Sequence, residues 1–321
     1  MKDKLPAVLK VAISLGLVAY IVTRPAILQA DWRGILANLH LWIWLVALAL
    51  YFLAIGCNVL KWQALLRTLG VQVPYWSLFR HNLVGLFFTN LPLSMVGGDI
   101  ARGWDLARHT EGQAAPVAVS VLLDRLIGLA AFLVAAVLGL AYAVAGLGRS
   151  DLTWLLIAVG LISIAFALAF AVLMSRWLRR LVGQIFHLGP LRRFLPLYQK
   201  LSDSVHVYRT HTGALAGAFA LGLVTVAATC VVNYLAAMTV GAGVSLRWAC
   251  VLTPLTPFAL YIPSVASGLG VNQAVFVALY HNLTGLIPQA QALAMSLVMQ
   301  VTIYVASLPG AVLWWHRRKG P

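Results

Sequence analysis

Apolar residues run in uninterrupted blocks of about span length along almost the whole chain, neither alternating nor confined to one helical stripe. A bilayer's hydrocarbon core takes about 20 apolar residues per helical crossing. Blocks of that kind cover residues 5–23, 41–60, 117–146, 152–175, 213–240 and 290–315, which predicts six full spans. The first follows Lys2 and Lys4 in the manner of a secretory signal. The residues after it, Leu28-Gln29-Ala30, make a poor small-x-small cleavage site, so it is read as an uncleaved span. Ten-residue segments alternating between lipid-facing and lumen-facing positions are absent, which argues against an outer-membrane barrel.

Two further apolar segments are broken. Residues 75–98 end in Asn90-Leu91-Pro92-Leu93-Ser94-Met95-Val96-Gly97-Gly98, and residues 248–282 hold Thr253-Pro254, Thr256-Pro257 and Pro263-Ser264 ahead of Ser267-Gly268-Leu269-Gly270. Broken backbone at membrane depth is tolerated only against protein or a water-filled cavity. Lysine and arginine placement decides whether these segments cross, because cytoplasmic loops carry the excess of positive charge. If both cross, the two sides carry equal charge. If both turn back as re-entrant helix pairs, 18 Lys and Arg fall on the cytoplasmic side, leaving only Arg24, Arg33, Arg149 and Arg247 outside and Arg125 within the membrane. The predicted fold is therefore all-α, with six full spans, two re-entrant helix pairs and both termini cytoplasmic.

That order repeats. Span, span, re-entrant pair, span occurs in residues 1–146 and again, inverted, in 152–321, within a single membrane domain of residues 1–321. Inverted repeats of this kind place broken helices and a substrate site near the midplane in transporters. Pro92 with Gly97 and Pro263 with Gly268 keep the same five-residue spacing at corresponding places.

Composition agrees: of 321 residues, 62% are hydrophobic and 10% charged, against about 25% charged in a soluble domain. The 23 Lys and Arg outnumber 8 acids, of which only Glu111 is a glutamate. With no nucleic-acid fold signature, that excess reads as basic loops against anionic headgroups of a cell membrane, not as a nucleic-acid surface. Cys57, Cys230 and Cys250 sit in apolar segments without CxxC spacing; they read as buried packing residues, with neither disulfide framework nor metal site.

Candidate chemistry concentrates in three places. Asp124 and Arg125 lie about 12 Å into the span that begins near Pro116, where a charge costs about 2.5–3.5 kcal/mol or more. Either they belong to a structural ion pair, or Arg125 offers its fork to an anionic group such as a lipid phosphate. The stripe Ser120, Asp124, Gly128, Ala131, Ala135 and Gly139 turns Asp124 toward protein. The second place is Gly97-Gly98-Asp99, read as a turn in which Asp99 caps a helix, with Arg102 one turn in; glycines admit a ligand to the backbone and a helix start favours an anion. Asp99, Arg102, Asp105 and Arg108 equally fit the polar face of an interfacial helix beside Ile100, Trp104 and Leu106. The third is Ser264, Ser267, Asn272 and Gln273 around Gly268 and Gly270, matched in the first half by Thr89 and Asn90. These groups either bind substrate or satisfy unwound backbone.

Enzymatic motifs are missing: no HExxH, G-x-S-x-G, Walker A or complete GxGxxG occurs. The expectation is a protein that is not an enzyme and uses no cofactor or metal. Trp42, Trp44, Trp154, Trp248, Trp314 and Trp315 lie near span ends and read as interfacial anchors.

Taken in order, Asn58-Val59-Leu60-Lys61-Trp62 with Leu69-Gly70, Phe87 through Pro92, Gly97-Gly98-Asp99-Ile100-Ala101-Arg102, Ser120 through Gly128, Ile262-Pro263, Gly268-Leu269-Gly270-Val271 and Leu308-Pro309-Gly310 form a series. In these the chain resembles the transmembrane, flippase-like domain of lysylphosphatidylglycerol synthase and its stand-alone relatives. The resemblance spans nearly the whole chain. It implies movement of an amphipathic lipid between leaflets, or handling of a lipid-linked precursor. The fused relatives carry an aminoacyl-transferase domain after this region; none follows Arg317-Arg318-Lys319, so lipid lysinylation is not expected. Relatives often have Arg-Glu after the late Gly-x-Gly where this chain has Asn272-Gln273, which suits a neutral or anionic headgroup better than a cationic one.

The reading that follows is a non-enzymatic flippase of a phospholipid or lipid-linked precursor. Its partners are membrane lipids, with Arg102 and Arg125 on an anionic headgroup and Asn90, Gly97, Gly98, Asp99, Asp124, Ser264, Gly268, Gly270, Asn272 and Gln273 completing the site. The competing reading is an accessory subunit whose basic loop 176–212 recruits a membrane-associated synthase or glycosyltransferase.

Overall fold

A computed structural model describes residues 23, 31–90, 95–110, 112–175, 206–259 and 270–319. The first predicted span, residues 91–94 of the first broken segment, 260–269 of the second and most of the basic loop lie outside them.

The elements are α1 (Trp32–Ala37), α2 (Leu41–Thr68), α3 (Tyr75–Thr89), α4 (Met95–His109), α5 (Ala114–Gly146), α6 (Thr153–Leu173), α7 (Thr212–Thr239), α8 (Leu246–Leu252), α9 (Thr256–Ala259), α10 (Val271–Phe276) and α11 (Gln289–Lys319). A 3-10 turn at Ser150–Leu152 precedes α6, another at Thr253–Leu255 precedes α9, and a π-helical stretch, Val277–Leu283, follows α10. Five helices among the described residues are long and apolar enough to cross a bilayer: α2, α5, α6 with its preceding turn, α7 and α11. The protein is a polytopic, all-helical membrane protein.

Each of these five falls on a predicted block, and the differences are at the ends. α2 was expected to stop at residue 60 but continues to Thr68. Its 28 residues reach about 42 Å, longer than the hydrocarbon core. The extension carries Lys61, Gln63 and Arg67 into helix, so Lys61 and Arg67 are not loop charges. Gly70 ends the helix at φ 77°, a conformation glycine adopts freely, with the Val71 amide bonded back to the Leu66 carbonyl at 3.0 Å.

The chain forms two compact units, one from residues 1–55, 80–102 and 226–321, the other from 56–79 and 103–225. In the second unit, α5 packs on α6, and a core of Leu65, Val119, Leu123, Ile127, Tyr208 and Ala218 gathers around it. Tyr208 donates its hydroxyl to the Leu65 carbonyl at 2.7 Å, satisfying one of the four carbonyls left over at the end of α2. α6 buries almost nothing, and Leu161, Ile164 and Leu168 are exposed, as lipid-facing residues are. Ala218 and Gly222 of α7 are taken up by packing, a Cβ on Gly222 lying 3.1 Å from Ala131, whereas nothing stands within 4 Å of Gly213 or Gly217.

Two minor expectations change. Trp44 donates to the Thr302 hydroxyl at 3.0 Å and Trp314 packs edge-on against Phe88, so both serve packing, while Trp42, Trp154 and Trp315 stay exposed as anchors do. Cys230 is buried and in contact with Cys250, which is itself exposed, and Cys57 is half-buried.

Candidate functional site

In the first unit, α3 and α4 are clasped through glycines. A Cβ on Gly98 would collide with the Thr89 hydroxyl and stand 2.6 Å from the Gly85 carbonyl; one on Gly85 would stand 2.8 Å from the Gly98 carbonyl and 2.9 Å from the Arg102 Cβ. Gly97-Gly98-Asp99 is accordingly not a turn. All three lie inside α4, which begins at Met95, and Asp99 does not cap it. Gly98 and Gly85 admit the backbones of α3 and α4 to each other. Gly310 of α11 does the same against Leu83 and Val84, which explains the closing Leu308-Pro309-Gly310 motif by close packing.

The clasp holds Arg102 at 4% exposure. Its Nη2 and Nε lie 2.9 and 3.0 Å from the Asp99 carboxylate one turn earlier, and Nη1 donates to Asn82 Oδ1 at 3.3 Å. Ile100 and Trp104 on the same helix are exposed. The helix is amphipathic as expected, with Ile100 and Trp104 turned outward beside the exposed Arg108, while Arg102 and Leu106 turn inward. Arg108 lies over the Trp104 ring, 5.0 Å from its centroid. Asn90 donates to Ser307 of α11 at 2.6 Å.

In the second unit, Asp124 meets Lys61, which sequence reasoning had placed in a loop. Lys61 Nζ stands 3.1 Å from Asp124 Oδ1 and donates to the Asp124 backbone carbonyl at 3.1 Å; the residues are 3% and 2% exposed. Room for the lysine comes from Gly128, where a Cβ would stand 3.3 Å from Nζ. Next to it Trp62 donates to Ser120 Oγ at 3.0 Å, and Ser120 passes its own proton to the Val117 carbonyl at 2.7 Å. Asn58 through Trp62 and Ser120 through Gly128 are thus two sides of one α2–α5 contact. Arg125, the next residue, points elsewhere on the helix and is partly exposed.

The third group belongs to the first unit. Gly270 opens α10 at φ 85°, and its amide donates to Gln273 Oε1 at 2.6 Å, so part of Gln273 serves the helix start. Asn272 and Gln273 are both buried, and Gln273 Nε2 has no partner among the described residues. Asn233, Thr253, Tyr280 and Gln300, none of them singled out from the sequence, are buried polar residues of the same unit. Polar side chains scattered singly through apolar helices carry no local signal. Ser264 and Gly268 lie outside the described residues.

The family model for the lysylphosphatidylglycerol synthase TM region matches residues 7–310. The chain belongs to that family. It is also similar to a UPF0104 membrane protein of Methanothermobacter thermautotrophicus, 24% identical over 282 residues that cover 83% of this chain and 82% of that one. The family match takes in all three groups, from the α2–α5 contact to the closing glycine.

Proposed function

We propose that this family member moves a phospholipid or a lipid-linked precursor between leaflets of the cell membrane without covalent chemistry. The observation that carries the reading is Arg102: a guanidinium almost wholly withdrawn from solvent, on an amphipathic helix that turns Ile100 and Trp104 outward, held by a carboxylate three residues away on its own helix. Both nitrogens of the fork meet one Asp99 oxygen, Oδ1, and an oxygen of a lipid phosphate can take that place. The family's name, which attaches this region to a phospholipid synthase, supports a lipid as substrate.

In this reading both termini are cytoplasmic, six spans and two re-entrant pairs form inverted repeats over 1–146 and 152–321, and the broken segments meet near the midplane. Arg102 engages the headgroup phosphate, and Arg125, in the other unit, is a separate contact for an anionic group. Gly270, Asn272 and Gln273, with Ser264 and Gly268, supply neutral hydrogen bonds, and Asn90, Gly97, Gly98 and Asp99 shape the approach to Arg102. Asp124 acts through its pairing with Lys61.

The test is reconstitution into liposomes carrying fluorescent lipids of different headgroups, read by leaflet-specific quenching for wild type, Arg102→Gln and Arg125→Ala. Movement lost in both folded variants supports the assignment. Unchanged movement in both sinks it, and no movement of any lipid by wild type transfers support to an accessory subunit acting through basic loop 176–212.

A further inference from the structure

The first unit contains a second polar site, separate from the groups above. A cleft of about 660 Å³ opens where α1, the start of α2, the end of α7, the π-helical stretch and the start of α11 come together. Its polar lining is Asp31, Asn38, His40, His281, Gln289 and Gln291. Cavities of about 300–1,000 Å³ are those that take small ligands and headgroups.

The cleft is built by specific contacts. Asp31 Oδ1 accepts the Gly34 amide at 2.9 Å, starting α1, and the His40 amide donates to the Thr239 carbonyl at 3.0 Å, tying the start of α2 to the end of α7. The wider π turn buries Tyr280 completely and brings the next residue, His281, to the cleft lining. π-helical turns of this kind recur at functional sites. His281 Nδ1 lies 3.0 Å from the Ile287 carbonyl, which can only accept, so the proton sits on Nδ1 and Nε2 remains an acceptor.

The chemistry of the lining selects the ligand. Among the described lining residues there is no lysine or arginine to hold a phosphate and no phenylalanine, tyrosine or tryptophan to cage a quaternary ammonium. What it offers is alternation: three side-chain amides that each donate and accept, two imidazoles, and a single carboxylate. Groups that both donate and accept match that alternation, and the hydroxyl is the common one.

We propose that this cleft binds the hydroxyl-rich, uncharged part of a lipid headgroup. In the orientation proposed above it lies on the extracytoplasmic side, and that placement alone rests on the transport reading. Arg102 then serves phosphate and the cleft serves hydroxyls, at different positions in the chain.

The experiment uses the full chain in phosphatidylcholine nanodiscs doped equally with diglucosyl diacylglycerol, phosphatidylethanolamine and phosphatidic acid, with retained lipids counted by native mass spectrometry. Wild type is expected to enrich the glucosyl lipid about tenfold over the other two. Asn38→Leu and Gln291→Leu, on separate elements so that misfolding of one leaves the other informative, are expected to return it to the bulk ratio, and Gln291→Asn to restore part of it. Enrichment of phosphatidylethanolamine or phosphatidic acid, no enrichment, or enrichment unaffected by folded leucine variants overturns the proposal. Arg102→Gln separates the two readings: it is expected to stop lipid movement and leave glucosyl-lipid enrichment intact. Enrichment without movement in wild type would remove the transport reading and keep the cleft.

Discussion

Two buried cations, one in each compact unit, are neutralised in opposite ways. Lys61 reaches a carboxylate 63 residues away on another helix, so its ion pair staples α2 to α5. Arg102 takes its carboxylate from one turn back on its own helix, and it meets α3 through the neutral amide of Asn82. An ion pair that joins helices cannot exchange partners without loosening the bundle. One contained in a single helix can, since Asp99 stays beside the arginine whichever oxyanion the fork engages. The lesson is that burial alone does not mark a functional charge; what matters is whether its partner also carries the packing.

The largest effect should come from breaking the staple. Lys61→Met takes from buried Asp124 the ammonium it is paired with, at a cost of about 3–5 kcal/mol, whereas adding Asp124→Leu should recover most of it. Thermal unfolding of the purified proteins checks both. The double variant should also keep lipid movement, and a folded double variant without movement would make Asp124 part of the transport site and dissolve the contrast.

Arg102→Gln comes next and should act on function more than on stability. Losing a charged two-pronged contact of about 1.5–3 kcal/mol predicts a fall in flipping of about ten- to hundredfold, with Arg102→Lys intermediate because it keeps charge without the fork. Gly98→Ala tests the clasp that sets the arginine's position: its methyl would meet Thr89 and the Gly85 carbonyl, and the overpacking should cost about 1–3 kcal/mol in thermal unfolding. Trp62→Phe removes the indole N–H that donates to Ser120, whose hydroxyl keeps its own acceptor at Val117, and should cost about 1 kcal/mol. Smallest of all, Arg149→Ala breaks an exposed pair with Asp151 in the α5–α6 connection and should leave the unfolding temperature unchanged.

How much of this was legible follows from the distance over which each interaction acts. The five described spans could be read directly, because lipid demands a long apolar stretch and its absence elsewhere is equally visible. The Asp99–Arg102 pair was legible too, since a spacing of three puts both on one helical face. The conformation of Gly97-Gly98 was misread: glycine pairs suit turns, and only the backbone of α3 against Gly98 reveals that they suit a close helix contact here. Lys61 was misread for the same reason, because nothing local says that a lysine at the edge of an apolar block has a carboxylate waiting.

The sequence by itself determined the class of protein, the placement of the five described long helices and the family series of motifs, all consequences of composition and local spacing. The tertiary structure decided which helices touch, that Lys61 answers Asp124, that α4 turns its arginine inward and that a π turn brings His281 to a polar cleft. Those outcomes depend on residues up to 258 positions apart, such as Trp44 and Thr302, meeting at distances of about 3 Å. In a chain where most side chains are interchangeably apolar, complementarity between a few small and polar residues sets that choice, and it exists only once the helices are packed.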